Sequence, residues 1–197
     1  HEVTINGGEP TADHTLTLPV DITGDLIPGK FGGTNFSGSI LVGNSTTGTL
    51  SSASSNTGVG DRVLDAITSG TSNAALGQDA LTKATTGGSN CAFGRTSLRD
   101  IVGGASNTAM GYQAGKLCTG DWNIFIGKDA GANITGGDGN VIIGGNLSAA
   151  SATGDNQLLI GANGTAGGSE GADVTWISGD GSGNVTMPAE LAAATLD

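Results

Sequence analysis

Residues able to do acid, base, nucleophilic or metal chemistry are few in this chain and scattered. The only histidines are His1 and His14, neither in a metal-ligand spacing nor beside a nucleophile. A Ser-His-Asp or Cys-His centre would therefore have to assemble around His14. The two cysteines, Cys91 and Cys118, make no disulfide framework and read as small buried apolar side chains. Carboxylates are plentiful, 18 against 7 basic residues, and a glycosidase pair drawn from the aspartates is one use for them. GGDGN (136–140) has the make-up of a calcium-binding turn, but that motif needs a nine-residue repeat and occurs here once. Asp79 and Asp129 share a column with Gln113 and Asn146, which reads as a row of solvated turn residues. Tyr112, Trp122 and Trp176 are the candidate aromatics for sugar stacking, and the plainer reading is packing between coils or chains. No catalytic residue, cofactor site or metal site emerges, so the chain reads as a non-enzyme whose receptor-binding residues the sequence leaves unassigned.

The background composition explains why chemistry is sparse. Of 197 residues 37 are Gly, aromatics are 4 % and charged residues 13 %, which leaves too few bulky side chains for a thick two-layer core. Fourteen of the acids are Asp, a turn residue, and only four are Glu. A net charge of −11 excludes electrostatic binding to nucleic acid or an anionic membrane. No run approaches the length of a transmembrane helix. The start at His1 predicts a processed chain or a piece of a longer one.

An internal repeat organises the rest. The segments SILVG, NTGVG, NAALG, NCAFG, NTAMG, NIFIG, NVIIG and QLLIG close on Gly43, Gly60, Gly77, Gly94, Gly111, Gly127, Gly144 and Gly161. These glycines are evenly spaced, except that the step from Gly111 to Gly127 is one position shorter than the rest. Each glycine marks a corner needing positive φ or close approach. Asn56, Asn73, Asn90, Asn107, Asn123 and Asn140 open six units and can form a hydrogen-bonded ladder at a second corner. Before each glycine stands an apolar residue: Val42, Val59, Leu76, Phe93, Met110, Ile126, Ile143 and Ile160. Two residues earlier are Ile40, Thr57, Ala74, Cys91, Thr108, Ile124, Val141 and Leu158. Residues two apart on a strand share a face, so these two columns are predicted to line the buried face and form the repeat core. The column between them runs from Gly58, Ala75, Ala92 and Ala109 to Phe125, Ile142 and Leu159, which predicts thicker packing at the C-terminal end. After the glycine come further small or apolar columns, then a Thr/Gly-rich turn. Each unit reads as short strand, Gly corner, second short strand and polar turn.

Such a unit is one coil of a parallel β-solenoid. The fold class is all-β, with about eight 17-residue coils at residues 37–165. An N-terminal β connector covers 1–36, punctuated by Pro19 and Pro28, and a C-terminal connector covers 166–197, ending in a helical start at PAELAAATLD. One coil with Ala and Gly at its centre buries little surface, and three chains around one axis would pool their apolar columns. A homotrimer is the expectation. Two other solenoid classes fit less well. An acyltransferase β-helix needs three hexapeptides per coil and a catalytic His; this chain has one hexapeptide and no His in the array. An ice-binding solenoid needs two aligned Thr columns, and here Thr68, Thr85, Thr119 and Thr135 are interrupted by Val102 beside a mixed neighbouring column.

The units NTAMGYQAG (107–115), NIFIGKDAG (123–131) and NAALGQDAL (73–81) resemble the repeats of phage tail-fibre proteins. They are also similar to the head repeats of trimeric autotransporter adhesins and haemagglutinins. The resemblance covers roughly residues 39–161 and implies a trimeric, left-handed β-roll. TADHTLTLPVDITGDLI (11–27) and VTWISGDGSGNVTMPAELAAATLD (174–197) resemble connector segments of such fibres, with a tip beyond Asp197 where a fibre continues. The implied role is a virion tail-fibre shaft or adhesion domain. Its implied partners are its own copies, other tail proteins and a host surface glycan or protein. A bacterial surface adhesin or secreted filament subunit is the alternative, and a polysaccharide depolymerase a weaker one.

Overall fold

Each coil turns where an extended apolar triplet meets a glycine held in left-handed backbone. At Gly77 φ is +131°, and a Cβ there would stand 2.7 Å from the carbonyl of Gly94 in the next coil. Any side chain is excluded both by conformation and by space. The structure, a computed structural model, describes residues 29–44, 47–163 and 173–186. His1, His14, Pro19, Pro28 and the expected helix at PAELAAATLD lie outside the described residues.

The strands run β1 (Gly29–Phe31), β2 (Phe36–Ser37), β3 (Ile40–Val42), β4 (Ala53–Ser54), β5 (Thr57–Val59), β6 (Ala74–Leu76) and β7 (Cys91–Phe93). They continue as β8 (Thr108–Met110), β9 (Ile124–Ile126), β10 (Val141–Ile143), β11 (Leu158–Asn163), β12 (Asp173–Gly179) and β13 (Val185–Thr186). Among the described residues there is no helix, and so none long and apolar enough to cross a membrane. Strands β3 and β5 to β11 stack in parallel, in the register of the sequence repeat: Thr57 pairs with Ala74, Ala74 with Cys91, Cys91 with Thr108. Eight parallel rungs enclose seven turns of a β-solenoid. Antiparallel strands close both ends of the stack, β1 against β3 and β12 against β11, with β13 beyond β12. They pair edges that would otherwise template further chains.

The interior differs from the expectation in three ways. First, the buried strand column is the middle one. Leu41, Gly58, Ala75, Ala92, Ala109, Phe125 and Ile142 point inward. Val42, Val59, Leu76, Phe93, Met110, Ile126, Ile143 and Ile160, expected as the core, lie on the outer face with Ile40, Thr57, Ala74 and Cys91, and none of them is buried. A three-residue strand that is apolar throughout leaves its inside and outside undetermined by alternation.

Second, the second short strand is replaced by a turn. Arg62 and Leu64, Asp79 and Leu81, and Thr96 and Leu98 hold φ between +45° and +59°, two per coil, which no extended strand allows. The turns still bond from coil to coil, as in Leu64 N–H to Ala80 O and Leu81 N–H to Ser97 O.

Third, the core does not thicken toward the C-terminus; its bulk changes walls. Where the strand supplies Ala75, Ala92 and Ala109, the turn opposite supplies the buried Leu64, Leu81 and Leu98. Where the strand supplies Phe125, the turn supplies Gly115 and Gly131, and a Cβ on either would collide with the Phe125 ring. Large and small side chains thus alternate between the two walls, as close packing of the interior requires.

Candidate functional site

The chemistry-bearing residues do not gather in the cleft that the described residues form at the N-terminal end. That cleft, beside β1, is lined by Lys30, Thr34, Asn35, Phe36 and Leu50. Side chains that resemble chemical groups in the sequence are bonded into the coil stack instead. The Asn ladder forms as the repeat predicts. Asn90 donates through Nδ2 to Asn73 Oδ1 (3.1 Å) and to Gly104 O (2.8 Å), while its own Oδ1 accepts the backbone N–H and the side-chain N–H of Asn107. The same bonds link Asn56, Asn73, Asn107, Asn123 and Asn140, with Ser39 at one end and Gln157 at the other. Among the described residues no buried side-chain nitrogen or oxygen lacks a partner.

The threonine column is absorbed likewise. Thr68, Thr85, Thr119 and Thr135 each donate their hydroxyl to a carbonyl of the next coil, at 3.1, 3.1, 2.6 and 3.3 Å. Asp79 receives Arg62 at 2.7 and 2.8 Å, and Asp129 lies 3.2 Å from Lys128. Asp138 of the GGDGN turn accepts the Asp121 N–H through Oδ1. Among the described residues no group of three or more His, Cys, Asp or Glu is placed to hold a metal ion. Asp100 accepts from Arg99 and lies 2.8 Å from Lys83; the Arg99 hydrogen bond foremost holds its pKa down at about 2.

The cysteines part company. Cys118 is buried inside its coil, and burial pushes its thiol up to about 11. Cys91, expected to be buried, sits half-exposed on the outer face of β7. Of the aromatics, Tyr112 lies under the Arg95 guanidinium at 5.7 Å and accepts from Gln113. Trp122 is 63 % exposed, and Trp176 falls on β12.

What remains without a partner in the chain is the outer face of the sheet. Val59, Leu76, Phe93, Met110 and Ile126 are 37 to 48 % exposed, in consecutive rungs. The whole column, from Val42 to Ile160, takes seven steps of about 4.8 Å and is about 34 Å long. Contiguous apolar stripes on a soluble surface mark association sites. Beside it the column Thr57, Ala74, Cys91, Thr108 is small, so each central rung offers a large residue next to a shallow one. The sequence reasoning found these columns but gave them the wrong side. Two further columns escaped it: the inward leucines at 64, 81 and 98, and the aspartates at 121, 138 and 155. The second was detectable as Asp recurring at the repeat interval, two places before Asn or Gln. No protein-family model, curated protein or solved structure matches the chain.

Proposed function

We propose that the chain is a non-enzymatic structural subunit of a phage tail fibre, a trimeric shaft or adhesion domain that presents host-binding surfaces. The observation that carries this reading is the unpartnered apolar stripe, continuous over the rungs of the parallel sheet. A rod that leaves such a stripe uncovered gains by packing it against copies of itself. The resemblance of NTAMGYQAG and NIFIGKDAG to tail-fibre repeats gives the assembly its setting. Its work is mechanical and multivalent: a stack bonded coil to coil holds binding surfaces away from the particle, and several copies multiply weak contacts through effective concentration. Partners under this reading are its own copies, other tail proteins, and a host surface glycan or protein.

The test is antibody labelling, in electron micrographs, of virions and of cells from the same culture. Label on tail appendages is the expected result. Label on the cell envelope would transfer the protein to the surface-adhesin reading, and label on neither would remove both.

A further inference from the structure

Two departures from the repeat fall in the same turn. The corner before each Asn is held in left-handed backbone, and Ser55, Ser72, Ser89, Ser106, Gly139 and Asn156 occupy it elsewhere, all small. In one coil it is Trp122, with φ +55°. A bulky side chain there costs conformational energy without gaining burial, since Trp122 is 63 % exposed. Its coil is also the one shortened by a single position: the exposed turn residue that is Thr86, Gly103, Gly136 or Thr153 in other coils is deleted. Ser106 and Gly139 flank Trp122 in the stack, so neither neighbour is large enough to cover the ring.

Beside this corner runs the aspartate row. Asp121 Oδ1 accepts the Ala105 N–H (2.7 Å), Asp138 Oδ1 the Asp121 N–H (2.8 Å) and Asp155 Oδ1 the Asp138 N–H (2.9 Å). Those bonds fix the carboxylates. No hydrogen bond among the described residues engages Oδ2 of any of the three. An exposed indole next in sequence to the first of a row of fixed acceptors suits a ligand with C–H faces and hydroxyl donors. We propose that Trp122 and the carboxylate row Asp121, Asp138 and Asp155 form a carbohydrate-binding surface, the indole stacking on a sugar ring and the free oxygens accepting its hydroxyls. The row's pitch of about 4.8 Å is close to the length of one pyranose ring, whereas an extended peptide presents same-side residues every 6 to 7 Å or so. A polysaccharide therefore fits the row better than a lysine-rich peptide. The site rests on the fibre reading for its purpose, host attachment, and not for its chemistry.

The test uses the full chain carrying Trp176→Phe, which leaves Trp122 as its one indole. It is titrated with neutral hexasaccharides of glucose, galactose, mannose and N-acetylglucosamine, and with hexalysine, by fluorescence and calorimetry. At least one hexasaccharide is expected to shift Trp122 emission and to saturate. Trp122→Ser installs the residue of four other coils, and is expected to keep the circular dichroism spectrum and to weaken that binding roughly tenfold or more. Asp138→Asn keeps Oδ1 for the Asp121 N–H and is expected to weaken it several-fold. Binding of no hexasaccharide overturns the proposal, as does binding of hexalysine alone. So does failure of iodide to quench Trp122 in the sugar-free protein, which would mean that a second copy covers the indole. None of these results touches the antibody label, and label on neither particle nor cell would leave a measured sugar affinity standing.

Discussion

At the scale of residues the stack depends on buried amides that serve both as side chains and as corner hydrogen-bond partners. Asn90→Ala orphans the Asn107 N–H and removes the donor to Gly104 O. A destabilisation of about 2 to 5 kcal/mol is expected, while Ser89→Ala next to it, exposed, is expected to be near neutral. Urea unfolding at fixed chain concentration reads both. Phe125 and Gly115 form a second dependent pair. Phe125→Ala is expected to cost about 3 to 5 kcal/mol and Gly115→Leu about 1 to 3. Together they rebuild the Ala and Leu arrangement of the preceding coils, where Leu98 already holds φ +45°, so the double variant should lose well under the sum. Additive losses would refute the exchange of bulk between walls. Asp100 supplies a pH signature. Its folded pKa, about 2, lies below the ordinary 3.8, so its contribution is full above about pH 4 and fades as pH falls toward 2. With its partners partly solvated this is about 1 to 2 kcal/mol, and Asp100→Asn should flatten that part of the stability curve against pH.

At the scale of elements, the coil is legible in sequence wherever one residue type is the only solution. Gly77 and Gly94 need positive φ at a crowded corner, and Asn73 and Asn90 must both donate and accept, so spacing alone located both corners and the strand between them. The facing of the strand was not legible, because Leu76 and Ala75 are both apolar and the bulk opposite Ala75 comes from Leu64 and Leu81 across the coil. The turn that replaced the second strand was hidden for a related reason. It places Leu64 and Leu81 in left-handed backbone, a conformation no propensity assigns to leucine. The candidate surface was half legible: its columns stood out, their exposure did not. Trp122 stood out by type alone, and only the φ shared with Ser89 and Ser106 set it apart. The antiparallel ends carry a prediction of their own. Truncation after Asn163 strips β12 from β11 and exposes a strand edge. Concentration-dependent end-to-end association should follow in sedimentation velocity, and an unchanged sedimentation coefficient would show that β12 protects nothing.

At the scale of the whole molecule, the proposed assembly rests on the apolar stripe along the outer face. Leu76→Asp, Phe93→Asp and Met110→Asp each put a charge on the outer face without touching the buried Ala75, Ala92 or Ala109. They should lower the oligomeric state while leaving the circular dichroism spectrum intact. Cys91 reports the same event chemically, because Cys118 is buried with its pKa raised. Its alkylation should be slow in the wild-type assembly and fast in Phe93→Asp. The most direct measurement is the native mass of the wild-type chain by light scattering across a dilution series. A mass that stays at three times the protomer's 19.1 kDa on dilution is the predicted result. A stable 19.1 kDa monomer would contradict the account, because the stripe would then face water with nothing to cover it.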